Sequence, residues 1–144
     1  MGRPAEYTKE YLQKVGIVDI SRDGKTIINK AGLVVTQHPS TKRTRYGEKT
    51  YLLFQIYDPD IRKAQLANGA DKSNTSLGQS SLVVSRAVYA WYSKDHRAPA
   101  NMDVHHKDDN PFNNDFDNLE LLTRKENLAK RKGHLNQYES SLRR

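Results

Sequence analysis

The stretch from Asp103 to Lys132, DVHHKDDNPFNNDFDNLELLTRKENLAKRK, constrains the chain more than any other. Val104-His105-His106 extends a short β-prone run. Lys107 to Asp117 is then crowded with Asp108, Asp109, Asn110, Pro111, Asn113, Asn114 and Asp115, residues that favour turns. Leu119-Glu120-Leu121-Leu122 reads as a return strand. Thr123 is a good N-cap, and Glu126, three residues later, completes a capping box for a helix running from Arg124 towards Lys132. Strand, turn, strand and helix make a ββα finger. Adjacent residues on a strand point to opposite faces, so His105 and His106 cannot share one role.

At 144 residues the chain suits one domain with a modest core, with room for an appended arm. Its formal net charge of +7 favours a polyanionic partner such as nucleic acid; a basic protein with no such partner is the alternative. There is no Cys, which removes disulfides, Cys-ligated zinc and thiol catalysis. Nothing resembles a signal peptide, and no apolar run is long enough for a bilayer. The expectation is a cytoplasmic protein of a bacterium or of its virus, with no membrane association and no small-molecule cofactor. Oligomeric state is not legible.

Upstream, Tyr7, Tyr11, Leu12 and Val15 sit at helical spacing, with Gly16 as the stop. Gly2-Arg3-Pro4 is either a minor-groove arm or a frayed terminus. Ile17 to Ile20 is β-prone and ends at the turn cluster Ser21-Arg22-Asp23-Gly24. Thr26 to Ile28, Leu33 to Thr36 and Tyr51 to Tyr57 are further strands, the last ended by Pro59. The predicted picture is an antiparallel sheet with a basic loop, His38 to Lys49, between its last two strands. Lys42, Arg43, Arg45 and Lys49 in that loop are candidate DNA contacts, or simply a solvated surface. Ile61 to Asn68 reads as a turn or two of helix, and Asn68 to Ser80 as a polar mobile loop. An amphipathic helix follows from Ser81, capped by Ser80 or Ser81, with Val84, Ala87, Val88 and Trp91 on one stripe. Trp91 is expected in the core, and Arg86 either at DNA phosphate or facing water.

From Leu82 to Lys132 the sequence resembles the HNH endonucleases. The pattern V-[DH]-H-x-D-G-N-x-x-N-N-x-x-x-N-L-x-x-[LV]-T-x-x-x-N of their phage and intron-encoded branch is met here by V-H-H-K-D-D-N-P-F-N-N-D-F-D-N-L-E-L-L-T-R-K-E-N. The helix before it also looks like that branch, with Arg86, Val88, Trp91 and Tyr92 in the expected places. The resemblance implies an α+β fold: a small N-terminal antiparallel sheet, then a helix and a ββα-metal nuclease motif. It implies His105 and Asn127 as metal ligands, His106 as general base, and Asn118 as the residue that hydrogen-bonds across the finger. Asp109 departs from the pattern, standing where the family has a turn Gly.

The implied activity is metal-dependent hydrolysis of phosphodiesters in double-stranded DNA, by a nickase or a double-strand cutter. One Mg²⁺ or Mn²⁺ ion per site is expected, with Zn²⁺, Ni²⁺ or Co²⁺ admitted by the imidazole. A catalytically silent finger used only for docking is the alternative, and a ribonuclease or nonspecific nuclease a third reading. The finger's turn is acidic, whereas Arg124, Lys125, Lys130 and Arg131 form a basic helix suited to phosphate. The expected organisation is a β-rich DNA-contacting module over 1–58, a linker over 59–80, the nuclease domain over 81–132 and a basic flexible tail over 133–144.

Overall fold

The computed structural model describes residues 6–45 and 47–130. Three expectations therefore lie outside the described residues: the Gly2-Arg3-Pro4 arm, Arg131 and the tail over 133–144. In chain order the elements are β1 (Tyr7–Thr8), α1 (Lys9–Lys14), β2 (Ile17–Ile20), β3 (Ile27–Asn29), β4 (Gln37–Thr44), β5 (Gly47–Tyr57), α2 (Pro59–Ala67), β6 (Gln79–Val83), α3 (Val84–Tyr92), β7 (Arg97–Ala98), β8 (Met102–His106) and β9 (Leu119–Thr123). A final helix, α4, occupies residues 124–130. The strands form small antiparallel sheets, β1-β7, β2-β3, β4-β5-β6 and β8-β9. The fold is α+β, and no helix among the described residues is long and apolar enough to cross a membrane.

The helix α3 sits at the centre. Val84, Ala87 and Val88 are fully buried, with Trp91 close behind, and they pack with Phe54, Leu12, Ile20 and Ile27 from the elements around them. Burial of such side chains stabilises by about 1.5–3 kcal/mol each, so this shared core is what joins the N-terminal sheets to the finger. Leu119 of β9 belongs to the same core.

Several local expectations are corrected. Tyr7 is not helical. It pairs with Ala98, and its hydroxyl accepts from the Val83 amide at 2.9 Å, so Thr8 becomes the cap of α1. The strand expected at Leu33 to Thr36 is reduced to a single bridge between Val34 and Ile28, and Leu33 and Val34 remain 65% and 62% exposed. Asn29 is the cause: its side-chain oxygen accepts the amides of Ala31 and Leu33, folding the chain into a turn in place of a ladder. The basic stretch is not a loop. Gln37–Thr44 is itself a strand, paired along its length with β5 from Gln37↔Phe54 to Thr44↔Gly47. Pro39 is tolerated because β4 lies at the sheet edge. Pro59 does not merely end β5. It opens α2, capped by the Asp58 carboxylate, which accepts from the Asp60 amide. The polar stretch read as a mobile loop ends in strand, since Gln79–Val83 pairs with β5. Ser80 and Ser81 lie opposite Ile56 and Gln55, so neither caps α3, which starts after Val83 with no side-chain cap.

The turn between β2 and β3 docks on the finger. Phe116 N donates to Arg22 O at 2.9 Å, and the Arg22 guanidinium pairs with Asp117 at 2.7 Å. Gly24, at φ +74°, lies so close that a Cβ there would come within 2.9 Å of Asn114 Cβ and 3.0 Å of Val88 Cγ2. Gly24→Ala is therefore expected to cost about 2 kcal/mol or more, from the left-handed backbone and the close approach together. A thermal melt reads this directly; an unchanged Tm would show that the two turns are not tightly docked.

Candidate functional site: the histidine finger

The finger's two strands pair with His105 opposite Glu120 and His106 opposite Leu119. Opposed residues share a face, and neighbours along a strand alternate. Asp103, His105 and Glu120 thus lie on one side of the hairpin, and Val104, His106 and Leu119 on the other, towards the core. The helix α4 is fixed by a reciprocal capping box: Glu126 N donates to Thr123 Oγ1, and Thr123 N to Glu126 Oε1, both at 3.1 Å. That start places Asn127 against β8, where its Nδ2 donates to Asp103 Oδ2 at 3.0 Å.

The turn is organised by two side chains. Asn118 Nδ2 donates to Asn113 O and Asp108 Oδ1, both at 2.9 Å, and Asn118 Oδ1 accepts from the Asp108 amide at 3.2 Å. Asp108 also accepts from Asn110 N and Asn113 Nδ2. These hydrogen bonds, that from the Asn113 side chain foremost, lower the Asp108 carboxyl to about 2. Asp109 adopts φ +61°, so the turn keeps the left-handed geometry that a Gly would supply.

His106 is largely enclosed. Its Nε2 lies 2.7 Å from Asn114 Oδ1, while Asn114 Nδ2 faces Pro111 O at 3.5 Å. A carbonyl oxygen only accepts, so the ring proton resides on Nε2 and the Nδ1 lone pair is left for chemistry. Burial lowers the His106 pKa from its ordinary value, and the neighbouring His105 and Lys49 act in the same direction. The Asn114 hydrogen bond and Asp108 oppose them.

His105 lies between two carboxylates. Its Nδ1 is 3.1 Å from Glu120 Oε1 and its Nε2 3.1 Å from Asp109 Oδ1. Carboxylates accept only, and a neutral imidazole has one N–H. One nitrogen can therefore donate, and the lone pair of the other can serve a cation. Asn127, with its amide nitrogen held by Asp103, has the amide oxygen left to face a cation. An imidazole nitrogen, an amide oxygen and nearby carboxylates suit a hard divalent ion. Among the described residues no three His, Asp or Glu side chains are grouped to hold an ion by themselves. The donors present fit an ion whose shell is completed by phosphate and water.

The expected DNA contacts divide. Lys42, Arg43 and Arg45 are exposed on the β4–β5 hairpin, and Lys49 is half-buried there, its ammonium 5.0 Å from the Tyr51 ring centroid. Lys125 is exposed on α4. Arg124 reaches Ala100 O at 3.4 Å, and Lys130 pairs with Glu120 at 2.9 Å. Arg86 is a correction. Its guanidinium donates to the carbonyls of Met102, Ala98 and Pro99, and lies 5.2 Å from the Tyr7 ring centroid. It is a structural clamp that carries β8 on α3, and it is not presented to a phosphate. Sequence reasoning also missed Asn114, Asp103 and Glu120. Strand alternation and the Asn113-Asn114 pair within the motif were the signals that pointed to them.

Residues 88–129, from within α3 to α4, match the family model described as HNH endonuclease. None of the curated proteins and none of the solved structures matches the chain. The matched stretch contains the two histidines, the Asn118 turn and Asn127.

Asp108 offers a test of the turn. A carboxyl held at about 2 in the fold, below its ordinary 3.8, contributes stability above about pH 4 that is lost as pH falls towards 2. Asp108→Asn should mimic the acid end of that range at neutral pH, with faster hydrogen exchange at the Asn110 amide. Unchanged exchange in both experiments would mean that the Asp108 hydrogen bonds do not hold the turn.

Proposed function

We propose that this chain, whose residues 88–129 match the HNH endonuclease model, is a divalent-metal-dependent DNA endonuclease with His106 as its general base. The observation that carries the reading is the seat of His106: Nε2 tied to Asn114 Oδ1, Nδ1 left with its lone pair, and burial favouring the neutral ring. A small sheet preceding the finger supports placing it with the phage and intron-encoded branch.

In the proposed reaction DNA lies across the end of β8, from which His105 and His106 project to opposite sides, and presents one phosphodiester between them. His106 Nδ1 takes a proton from a water molecule as the water oxygen forms a bond to phosphorus. The bond to the 3′ oxygen breaks in line, and that oxygen is protonated from solvent, leaving a 5′-phosphate and a 3′-hydroxyl. His105 Nε2 and the Asn127 amide oxygen would hold the metal, Mg²⁺ or Mn²⁺, beside the phosphate. Once bound, the ion supplies positive charge against the developing oxyanion and leaving group. Asn118 and Asp108 keep the turn closed, and Asn114 keeps His106 in the tautomer that can accept. Lys125 and Arg124 offer positive charge to the backbone on either side.

The test is nicking of supercoiled plasmid with Mg²⁺ or Mn²⁺, compared with EDTA, with RNA run alongside. Metal-dependent nicking is expected. His106→Ala should lower the rate by about 10²–10⁴-fold while duplex affinity stays within about twofold. Retained DNA binding with no cleavage under any divalent ion would assign the finger to docking, and preferential cleavage of RNA would reassign the substrate.

The pH profile follows from the burial of His106. The base must be neutral, and its pKa lies below the ordinary value near ~6.5. Cleavage should hold its plateau as pH falls through ~6.5 and drop only below the depressed pKa. An acid limb above 6.5 would contradict the assignment of His106 as the base.

A further inference from the structure

The β4–β5 hairpin is longer than the sheet it belongs to. β6 pairs with Leu53 to Tyr57 alone, so Gly47 to Leu52 and their partners Pro39 to Thr44 form a two-stranded ribbon with no third strand beside it. The two faces differ. On one, Arg43 stands opposite Glu48, and Thr41 and Thr50 share a hydroxyl hydrogen bond at 2.9 Å. On the other, Lys42 stands directly opposite Lys49, flanked by Ser40 opposite Tyr51. Like charges directly opposite across a ladder destabilise a hairpin. Among the described residues no acidic side chain forms an ion pair with either lysine. A repulsive pair maintained on one face is suited to an anion that bridges it.

The ribbon is also tied to the finger, through the face opposite to the lysines. At the ribbon's root, Gln37 Nε2 donates to Gly24 O at 2.7 Å, and Gly24 abuts Asn114, the partner of His106. Tyr51, on the lysine face, lies under the Lys49 ammonium, which is 5.0 Å from the ring centroid. The ribbon is thus rooted, through Gly24 and Asn114, beside the proposed base.

We infer that the β4–β5 ribbon is a backbone clamp, in which Lys42 and Lys49 hold duplex DNA phosphates next to the bond presented to the finger. The inference rests on the DNA reading of the finger and adds to it the element that positions the duplex. A two-stranded ribbon fits the major groove of B-DNA, which is about 12 Å wide. Lysines that hold phosphate set position and carry no base information, so the clamp holds duplexes of any sequence. Arg43, on the opposite face, is not part of it.

The experiment measures binding, separately from cleavage. His106→Ala protein in EDTA is titrated by fluorescence anisotropy against duplexes of two unrelated sequences, at several salt concentrations, with duplex RNA in parallel. Adding Lys42→Gln and Lys49→Gln should weaken binding to both DNA duplexes about tenfold or more. It should also reduce the slope of log affinity against log salt by about 2, one unit for each phosphate that the missing ammonium groups no longer neutralise. Arg43→Gln is the opposite-face control, expected to change the slope by less than about half a unit. Circular dichroism checks that every variant is folded. An unchanged slope in the double variant overturns the clamp, as does weaker binding confined to one sequence. An equal weakening on duplex RNA, with RNA bound more tightly, overturns DNA as the partner. Because nicking is scored separately, protein that binds through these lysines but never nicks keeps the clamp and loses the nuclease reading. Protein that nicks while the double variant binds as its parent does the reverse.

Discussion

The hydrogen bond from His106 Nε2 to Asn114 Oδ1 is the interaction on which the site depends. With Asn114 Oδ1 as acceptor it puts the ring proton on Nε2, which leaves Nδ1 for the proposed reaction. Asn114 is itself buried, so its own position is set by what surrounds it. Gly24 is one of these neighbours, and the absence of a Cβ there lets the β2–β3 turn close over the Asn114 side chain. Arg22 adds a backbone hydrogen bond and an ion pair to the same turn of the finger. The N-terminal sheets are therefore more than a neighbouring module. One of their turns forms a wall of the site.

The opposite face of the finger is polar and charged. His105 sits between Asp109 and Glu120, Glu120 pairs with Lys130, and Asn127 is held by Asp103. A histidine with a carboxylate at each nitrogen suits the proposed cation, and the two histidines occupy opposite faces of one strand. Asp109 has a double part here. Its backbone takes the left-handed conformation of a turn glycine, and its side chain reaches the imidazole that a glycine would leave unpaired on that side.

Much of the finger was legible because its signals are local. The Thr123–Glu126 capping box, the turn residues from Asp108 to Asn118 and the apolar stripe of α3 depend on neighbours a few positions away. What was missed depends on distant partners. Gln37–Thr44 has no apolar alternation because it is an edge strand open to solvent, so its polar composition looked like a loop. Leu33 and Val34 have strand propensity, but Asn29 captures the amides that a ladder would need. Ser80 and Ser81 resemble helix caps and instead pair with β5. Arg86 looked available to phosphate because a sequence does not show the three carbonyls that surround it. For the same reason the histidines stood out in the sequence more than Asn114, Asp103 and Glu120, which meet His106, Asn127 and His105 only through strand pairing and loop closure.

The tautomer of His106 tests the central claim most directly. Long-range ¹H–¹⁵N NMR of the imidazole, at a pH where the ring is neutral, distinguishes a proton on Nε2 from one on Nδ1. The account predicts the Nε2–H form in the native protein, and a mixture of both forms once Asn114→Ala removes the acceptor. A native His106 protonated on Nδ1 would leave no lone pair facing the substrate and would contradict the proposed base.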